Sequence, residues 1–201
     1  MHKLLIAIPI LALAAFSVRA DDFLSPGNWE GIKEYWKTEG DTVTGSSPKD
    51  GLKNNTFLCS KQKYKDFEMT FQIRLHGGGD ANSGVQIRSK VEDPNKYIVA
   101  GPQADIGANY WGSLYGERFG GMMKQADAKA VNPTLKNDDF NDYHIKCVGK
   151  HVTISVNGVT TVDDDFEKMP EEGIIAFQLH VTKTPMVVTF KNIKFKDLSA
   201  K

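Results

Sequence analysis

The sequence predicts an all-β fold, a two-sheet antiparallel jelly-roll sandwich. Three observations carry that expectation. From Phe67 to Leu75 the chain alternates strictly, with Phe67, Met69, Phe71, Ile73 and Leu75 apolar and Glu68, Thr70, Gln72 and Arg74 polar. That is the period of a strand with one buried face. Second, Val152, Ile154 and Val156 alternate and run into Asn157-Gly158, a pair suited to a hairpin turn whose two central residues need positive φ. Third, helical periodicity is scarce, and clusters of Gly, Pro, Asn and Asp separate short β-prone runs throughout, the rhythm of packed antiparallel sheets.

In chain order, a loop-like start (Ser25 to Asn28) leads to Glu30–Thr38, where a turn or short helix is expected. Strands are then expected over Phe57–Ser60, Phe67–His76, Ser83–Ser89 and Tyr97–Ala100. A second short helical stretch fits within Phe119–Ala130. Tyr143–Val148, Val152–Val156 and the return run Val159 to Val162 form the next strands, followed by Gly173–His180 and Val187–Phe195. In the last of these Val188 and Phe190 alternate, then Ile193 and Phe195 resume out of phase, so a β-bulge is expected near Lys191 and Asn192. Trp29 and Trp36 are expected in the core.

Residues 1–20 (MHKLLIAIPILALAAFSVRA) read as a signal peptide: Lys3, an apolar run too short to span a bilayer, then Val18-Arg19-Ala20 with small residues at the cleavage positions. The expected mature chain, residues 21–201, is one domain, periplasmic or secreted, with no membrane anchor. The chain carries 25 basic and 25 acidic residues, and loss of Lys3 and Arg19 leaves a slight acidic excess. A nucleic-acid surface is therefore not expected. Cys59 and Cys147 both lie in strand-like runs, and the sequence leaves open a disulfide or two buried thiols. No CxxC or HExxH spacing points to zinc.

Period-two geometry sorts polar residues into pairs. Gln86 and Arg88 lie opposite Val85 and Ile87; Gln178 and His180 lie opposite Phe177 and Leu179; Gln103 and Asp105 are also two apart. If their strands are neighbours, Arg88, Gln103, Asp105, Gln178 and His180 converge on one face. Tyr97, Tyr110, Trp111 and Tyr115 cluster around a Gly-rich stretch, with Glu117 and Lys124 close behind. His76 abuts the glycine loop and can reach the same rim, whereas His144 and His151 are expected to be structural and Asp163–Asp165 to be a solvated turn.

Six stretches in fixed order, "KYKDFEMTFQIRL", "NSGVQIRS", "YWGSLYGE", "FNDYHIKCVGKHVTISVNGV", "GIIAFQLH" and "VTFKNIKFKDL", resemble the bacterial 3-keto-disaccharide hydrolase domain family. The resemblance spans about residues 22–198. It implies a concanavalin-like β-sandwich that cleaves glycosides already oxidised at C3, by hydrolysis or by elimination. Where many members carry a stretch like "YEVQILD", this chain has "YIVAGPQADIG", in which Gln103 and Asp105 supply the polar pair.

On that resemblance the polar face is the sugar site. Gln86, Gln103 and Gln178 orient the sugar, Tyr97, Trp111 and Tyr115 stack on it, and Glu117 adds a charge. A C3 ketone acidifies the C2 proton, so His180 or Asp105 is expected as base and Arg88 as the clamp on the developing enolate. A divalent cation could take the place of Arg88, and the sequence names no ligand set for one. Two other readings stand beside this one. An ordinary glycosidase needs two carboxylates, for which Asp105 and Glu117 are the sole suitable pair. A noncatalytic carbohydrate-binding domain needs neither. The sequence does not set an oligomeric state.

Overall fold

A computed structural model describes residues 23–199. The expected signal peptide, residues 1–20, lies outside them. Among the described residues, two antiparallel sheets of seven strands pack face to face. The first sheet joins, in spatial order, β1 (Trp29–Glu30), β4 (Thr56–Tyr64), β13 (Gly173–Leu179), β6 (Ser83–Asp93), β7 (Ile98–Ile106), β8 (Leu114–Glu117) and β9 (Gly121–Lys124). The second joins β12 (Val159–Asp165), β11 (His151–Val156), β10 (Asn141–Val148), β5 (Phe67–His76), β14 (Val187–Asp197), β3 (Thr42–Ser46) and β2 (Trp36–Glu39). The chain is a jelly-roll sandwich, as its alternation predicts.

The inward faces of the sheets make the core. Phe67, Met69, Phe71 and Ile73 of β5 are buried, and their polar alternates face outward. Phe71 stacks on Tyr143 with centroids 5.1 Å apart, and Phe177 meets Phe190 across the sandwich at 4.6 Å. Trp29 and Trp36 both pack on this core. Trp29 donates Nε1–H to Phe23 O at 2.6 Å. Trp36 lies so close over Gly45 that a β-carbon there would sit 2.6 Å from its ring.

Asn157 and Gly158 have φ of 48° and 83°, as the hairpin between β11 and β12 requires. The β14–β5 register shifts between Lys191 and Lys194, and Asn192 has φ 53°, which is the anticipated bulge. Elsewhere the strands outrun the expectation. The Glu30–Thr38 stretch contributes strand at both ends, Phe119–Ala130 contributes β9, and helix there is confined to the single turn Ala128–Val131.

Cys59 and Cys147 are free thiols on different sheets, so the disulfide alternative is excluded. Burial pushes each up to about 12. Cys147 belongs to the main core. Cys59 belongs to a smaller cluster with Phe57, Val99, Ile174 and Ala176, on which Val91 and Tyr97 pack. Thr56 Oγ1–H donates to Lys96 O at 3.1 Å, so the β6–β7 turn closes over part of the outer face of the first sheet.

Candidate functional site

The strand order of the first sheet sets β13, β6, β7 and β8 side by side. Gln86 pairs with Gln103, Gln103 with Tyr115, and Ala176 with Gln86. Outward-facing residues at these registers must meet, because directly opposed side chains on neighbouring strands lie about 5 Å apart. The Gln86 and Gln103 amides are 2.8 Å apart, Gln103 lies 2.8 Å from Asp105 Oδ1, and Gln103 lies 3.3 Å from the Gln178 amide. Gly84 makes room for this chain: a β-carbon there would stand 2.5 Å from Gln103 Cδ.

These groups floor a cavity of about 480 Å3 lined by Asn82, Gln103, Asp105, Tyr110, Tyr115, Glu117, Met122, Gln125, Gln178 and His180. Gln86 lies beneath it, fully buried. At the rim, His180 Nδ1 is 2.6 Å from Val181 O. A carbonyl only accepts, so Nδ1 carries the hydrogen and Nε2 is the nitrogen left to take a proton. Asn55 links the two sides of the rim, donating Nδ2–H to Glu117 Oε1 at 3.2 Å and accepting Val181 N–H at 2.8 Å.

Asp105 is the buried acid of the cavity, and its carboxyl is pushed up from 3.8 to about 7. Burial is the main cause. A Gln103 N–H directed at the carboxylate pulls the other way, the nearby Glu117 carboxylate adds to the rise, and the Ile106 N–H opposes it. The Asp105 backbone is itself fixed: its carbonyl accepts from Tyr143 Oη–H at 2.9 Å and from Gly112 N–H at 3.0 Å. Gln178 Nε2, wholly buried, has no hydrogen-bond partner among the described residues.

Five of the residues considered for the site stand elsewhere. Arg88 is the main correction. The β6–β7 register slips between Gln86 and Lys90, and Arg88 has φ 47°. One extra residue in β6 turns the Arg88 side chain off the polar face and into the end of the sandwich. There it donates to Lys65 O, Gly149 O and Pro170 O and pairs with Asp66 Oδ1 at 3.0 Å. It holds three loops together and does not reach the cavity. Trp111 packs on the main core and lines a separate cavity with Leu75 and Leu135. Tyr97 packs on the Phe57–Cys59 cluster. Lys124 pairs with Asp164 at 3.1 Å and His76 with Asp138 at 3.2 Å, so neither lines the cavity.

Asn55, Asn82, Met122 and Gln125 are site residues that the sequence reading passed over. Their signal is weak, since a lone polar residue in a loop has no period to betray it. Met122 was hidden because β9 was read as turn or helix.

A larger depression, about 770 Å3, lies on the outer face of the second sheet. Within it Gln72 donates to Asp142 at 2.8 Å, and His144 meets Glu68 at 2.9 Å. It contains no buried acid, and the smaller cavity is the better candidate. Among the described residues no group of three or more His, Cys, Asp or Glu side chains is placed to hold a metal ion, and no helix is long and apolar enough to cross a membrane. Asp105 and Glu117 are the carboxylates that line the cavity.

Comparison with solved structures places the fold among β-sandwiches. A protein from Parabacteroides distasonis ATCC 8503, provisionally described as a glycosyl hydrolase, superposes with a TM-score of 0.60 at 19% identity, covering 86% of this chain and 94% of that one. The carbohydrate-binding module CBM66 from Bacillus subtilis superposes with a TM-score of 0.62 at 16% identity, covering 84% and 95%. At these identities the likeness is one of fold. No curated protein matches the chain in sequence. The family model of the 3-keto-alpha-glucoside-1,2-lyase-like domain matches residues 24–196, nearly all of the described fold, and the chain belongs to that family.

Proposed function

We propose that the cavity on the first sheet binds a pyranoside oxidised at C3 and breaks its glycosidic bond by elimination across C1 and C2. The observation that carries this reading is a pair of proton carriers on one cavity: the buried Asp105 carboxyl, held near 7, and the His180 imidazole with Nε2 free. Their environments suit them to opposite tasks. His180 Nε2 takes the C2 proton, which the neighbouring ketone has made acidic. The C2–H electrons form the C1–C2 double bond as the C1–O bond breaks, and Asp105 delivers its proton to the departing oxygen. Gln103 and Gln178 supply hydrogen bonds to the sugar, and Tyr110 and Tyr115 offer ring faces to the pyranose. Arg88, committed to the loops, does not clamp the enolate. Addition of water to the double bond would turn the same chemistry into net hydrolysis.

The test is to incubate the purified protein with a 3-keto-glucoside beside its unoxidised parent. Loss of the keto form alone supports the reading. Turnover of the parent would point instead to a two-carboxylate glycosidase built on Asp105 and Glu117, and saturable binding without product would point to a binding domain.

A further inference from the structure

The amide chain beneath the cavity has a direction that the backbone dictates. One end of the Gln86 amide faces Pro102 O at 3.2 Å, Gly101 O at 3.3 Å and Ser89 Oγ at 2.6 Å. Backbone carbonyls only accept, and the Ser89 hydroxyl can donate to Ile87 O or Pro102 O while accepting an N–H, so Nε2 at this end satisfies every neighbour. With Oε1 there instead, the amide oxygen would have the Ser89 hydroxyl as its sole donor and would oppose two backbone carbonyl oxygens. With Nε2 so directed, Gln86 Oε1 points at Gln103, 2.8 Å away. Gln103 must then donate its own Nε2 to Gln86, and its Oε1 turns to Asp105 Oδ1 at 2.8 Å and to Gln178 at 3.3 Å. Gln178 answers with its Nε2, which otherwise has no partner. One contact remains between two acceptor atoms: Gln103 Oε1 and Asp105 Oδ1. It is attractive only if a proton lies between them, and of the two groups only the carboxyl can carry it.

From this we infer that Asp105 rests as a neutral carboxylic acid, kept in that state by Gln86, Gln103 and Gln178 acting as positioning residues whose polarity is set by the Gly101 and Pro102 carbonyls. The charged and titratable neighbours agree with this. Glu117 from β8 faces the same carboxyl and disfavours its ionisation; Tyr143 from β10 donates to its backbone carbonyl and not to the carboxyl; His180, at the end of β13, stands across the cavity. Once Asp105 gives up its proton, the carboxylate needs a donor, and Gln103 supplies one only by turning over together with Gln86 and Gln178. Proton transfer and amide reorientation are therefore coupled. The inference rests on the proposed acid role of Asp105 for its catalytic consequence alone; the proton itself can be observed without any substrate.

Infrared difference spectra of the full protein against Asp105→Asn test it. Asparagine at this position offers Gln103 an N–H, as the neutral acid does, so the variant should fold. At about pH 6 the wild type should show a protonated-carboxyl C=O band that is missing in D105N and that titrates near neutrality. Gln86→Leu frees Gln103 to donate to Asp105, and the band should then titrate at least about tenfold more readily, roughly one pH unit lower. Absence of an Asp105-dependent acid band at about pH 6 would overturn the inference. So would a Gln86→Leu titration that overlays the wild type. If Gln86→Leu does not fold, the comparison of wild type with D105N decides alone. An acid band in a protein that turns over no keto-glycoside would leave this inference standing and sink the proposed function; turnover without the band would do the reverse.

Discussion

Asp105 sits on β7 with its backbone pinned by Tyr143 and Gly112, so its carboxyl cannot swing out to water to relieve its burial. Folding raises its proton affinity, and a stability change with pH must follow. Its ordinary value is 3.8 and its folded value about 7. The folded chain thus holds the proton more tightly than the unfolded chain. The stability that this provides is complete below about pH 4 and is lost as pH rises through about 7. Asp105→Asn carries no such penalty, so by about pH 8 it should be more stable than the wild type, by at most about 4 kcal/mol, with the gap closing towards pH 4. Urea denaturation at the two ends of that range checks the sign. The same substitution removes the proposed acid and should lower kcat about 10²–10⁴-fold. His180→Ala should lower kcat by a similar factor with little change in stability, since its ring nitrogen bonds only the carbonyl of the next residue.

At the scale of single elements, the β6 bulge decides which side chains reach the cavity. Val85, Ile87, Ser89 and Val91 keep an even spacing in sequence, and that spacing runs unbroken through the irregularity and conceals it. In the structure Gln86 and Ser89, three apart, share the outer face, with Ser89 Oγ 2.6 Å from the Gln86 amide. Arg88 between them is turned inward at positive φ, a conformation costly for a non-glycine residue and sustained here by its four partners. The bulge needs two glycines. A β-carbon on Gly173 would stand 2.2 Å from Arg88 C, and one on Gly101 would stand 2.2 Å from Ser89 Oγ. Alternation and turn chemistry made the strands, the Asn157-Gly158 hairpin and the β14 bulge legible. The β6 bulge was not, because its cause is the meeting of β6 with glycines far away in sequence. Arg88→Met should therefore destabilise the fold by about 3 kcal/mol or more, by stranding Asp66 and three carbonyls, while the folded fraction keeps its turnover. Chemical denaturation beside kcat per folded molecule separates the two effects. A large loss of kcat at unchanged stability would return Arg88 to the site.

Across the whole molecule, the sandwich gives its two outer faces different work. The second sheet carries surface histidine–carboxylate contacts on its exterior, such as His144 with Glu68 and His151 with Asp163 and Asp165. The first sheet buries an apolar cluster around Phe57 and Cys59 under the β6–β7 turn and keeps polar groups on the uncovered part. Gln86, Gln103, Asp105, Gln178 and His180 were legible as period-two pairs, but their meeting depended on β13 lying between β4 and β6, which no local pattern reports. Tyr97 and Trp111 lay near the right stretch of sequence yet were claimed by packing, since aromatic rings have more to gain from burial than from waiting at a rim. The proposed chemistry makes one demand that no other reading of this fold shares: the bond at C2 to hydrogen must break in every turnover. A 3-keto-glucoside deuterated at C2 tests this directly. If His180 removes that atom, the label passes to water as fast as the leaving group is released, and both slow together in His180→Ala. Release of the leaving group with deuterium still at C2 would contradict the account.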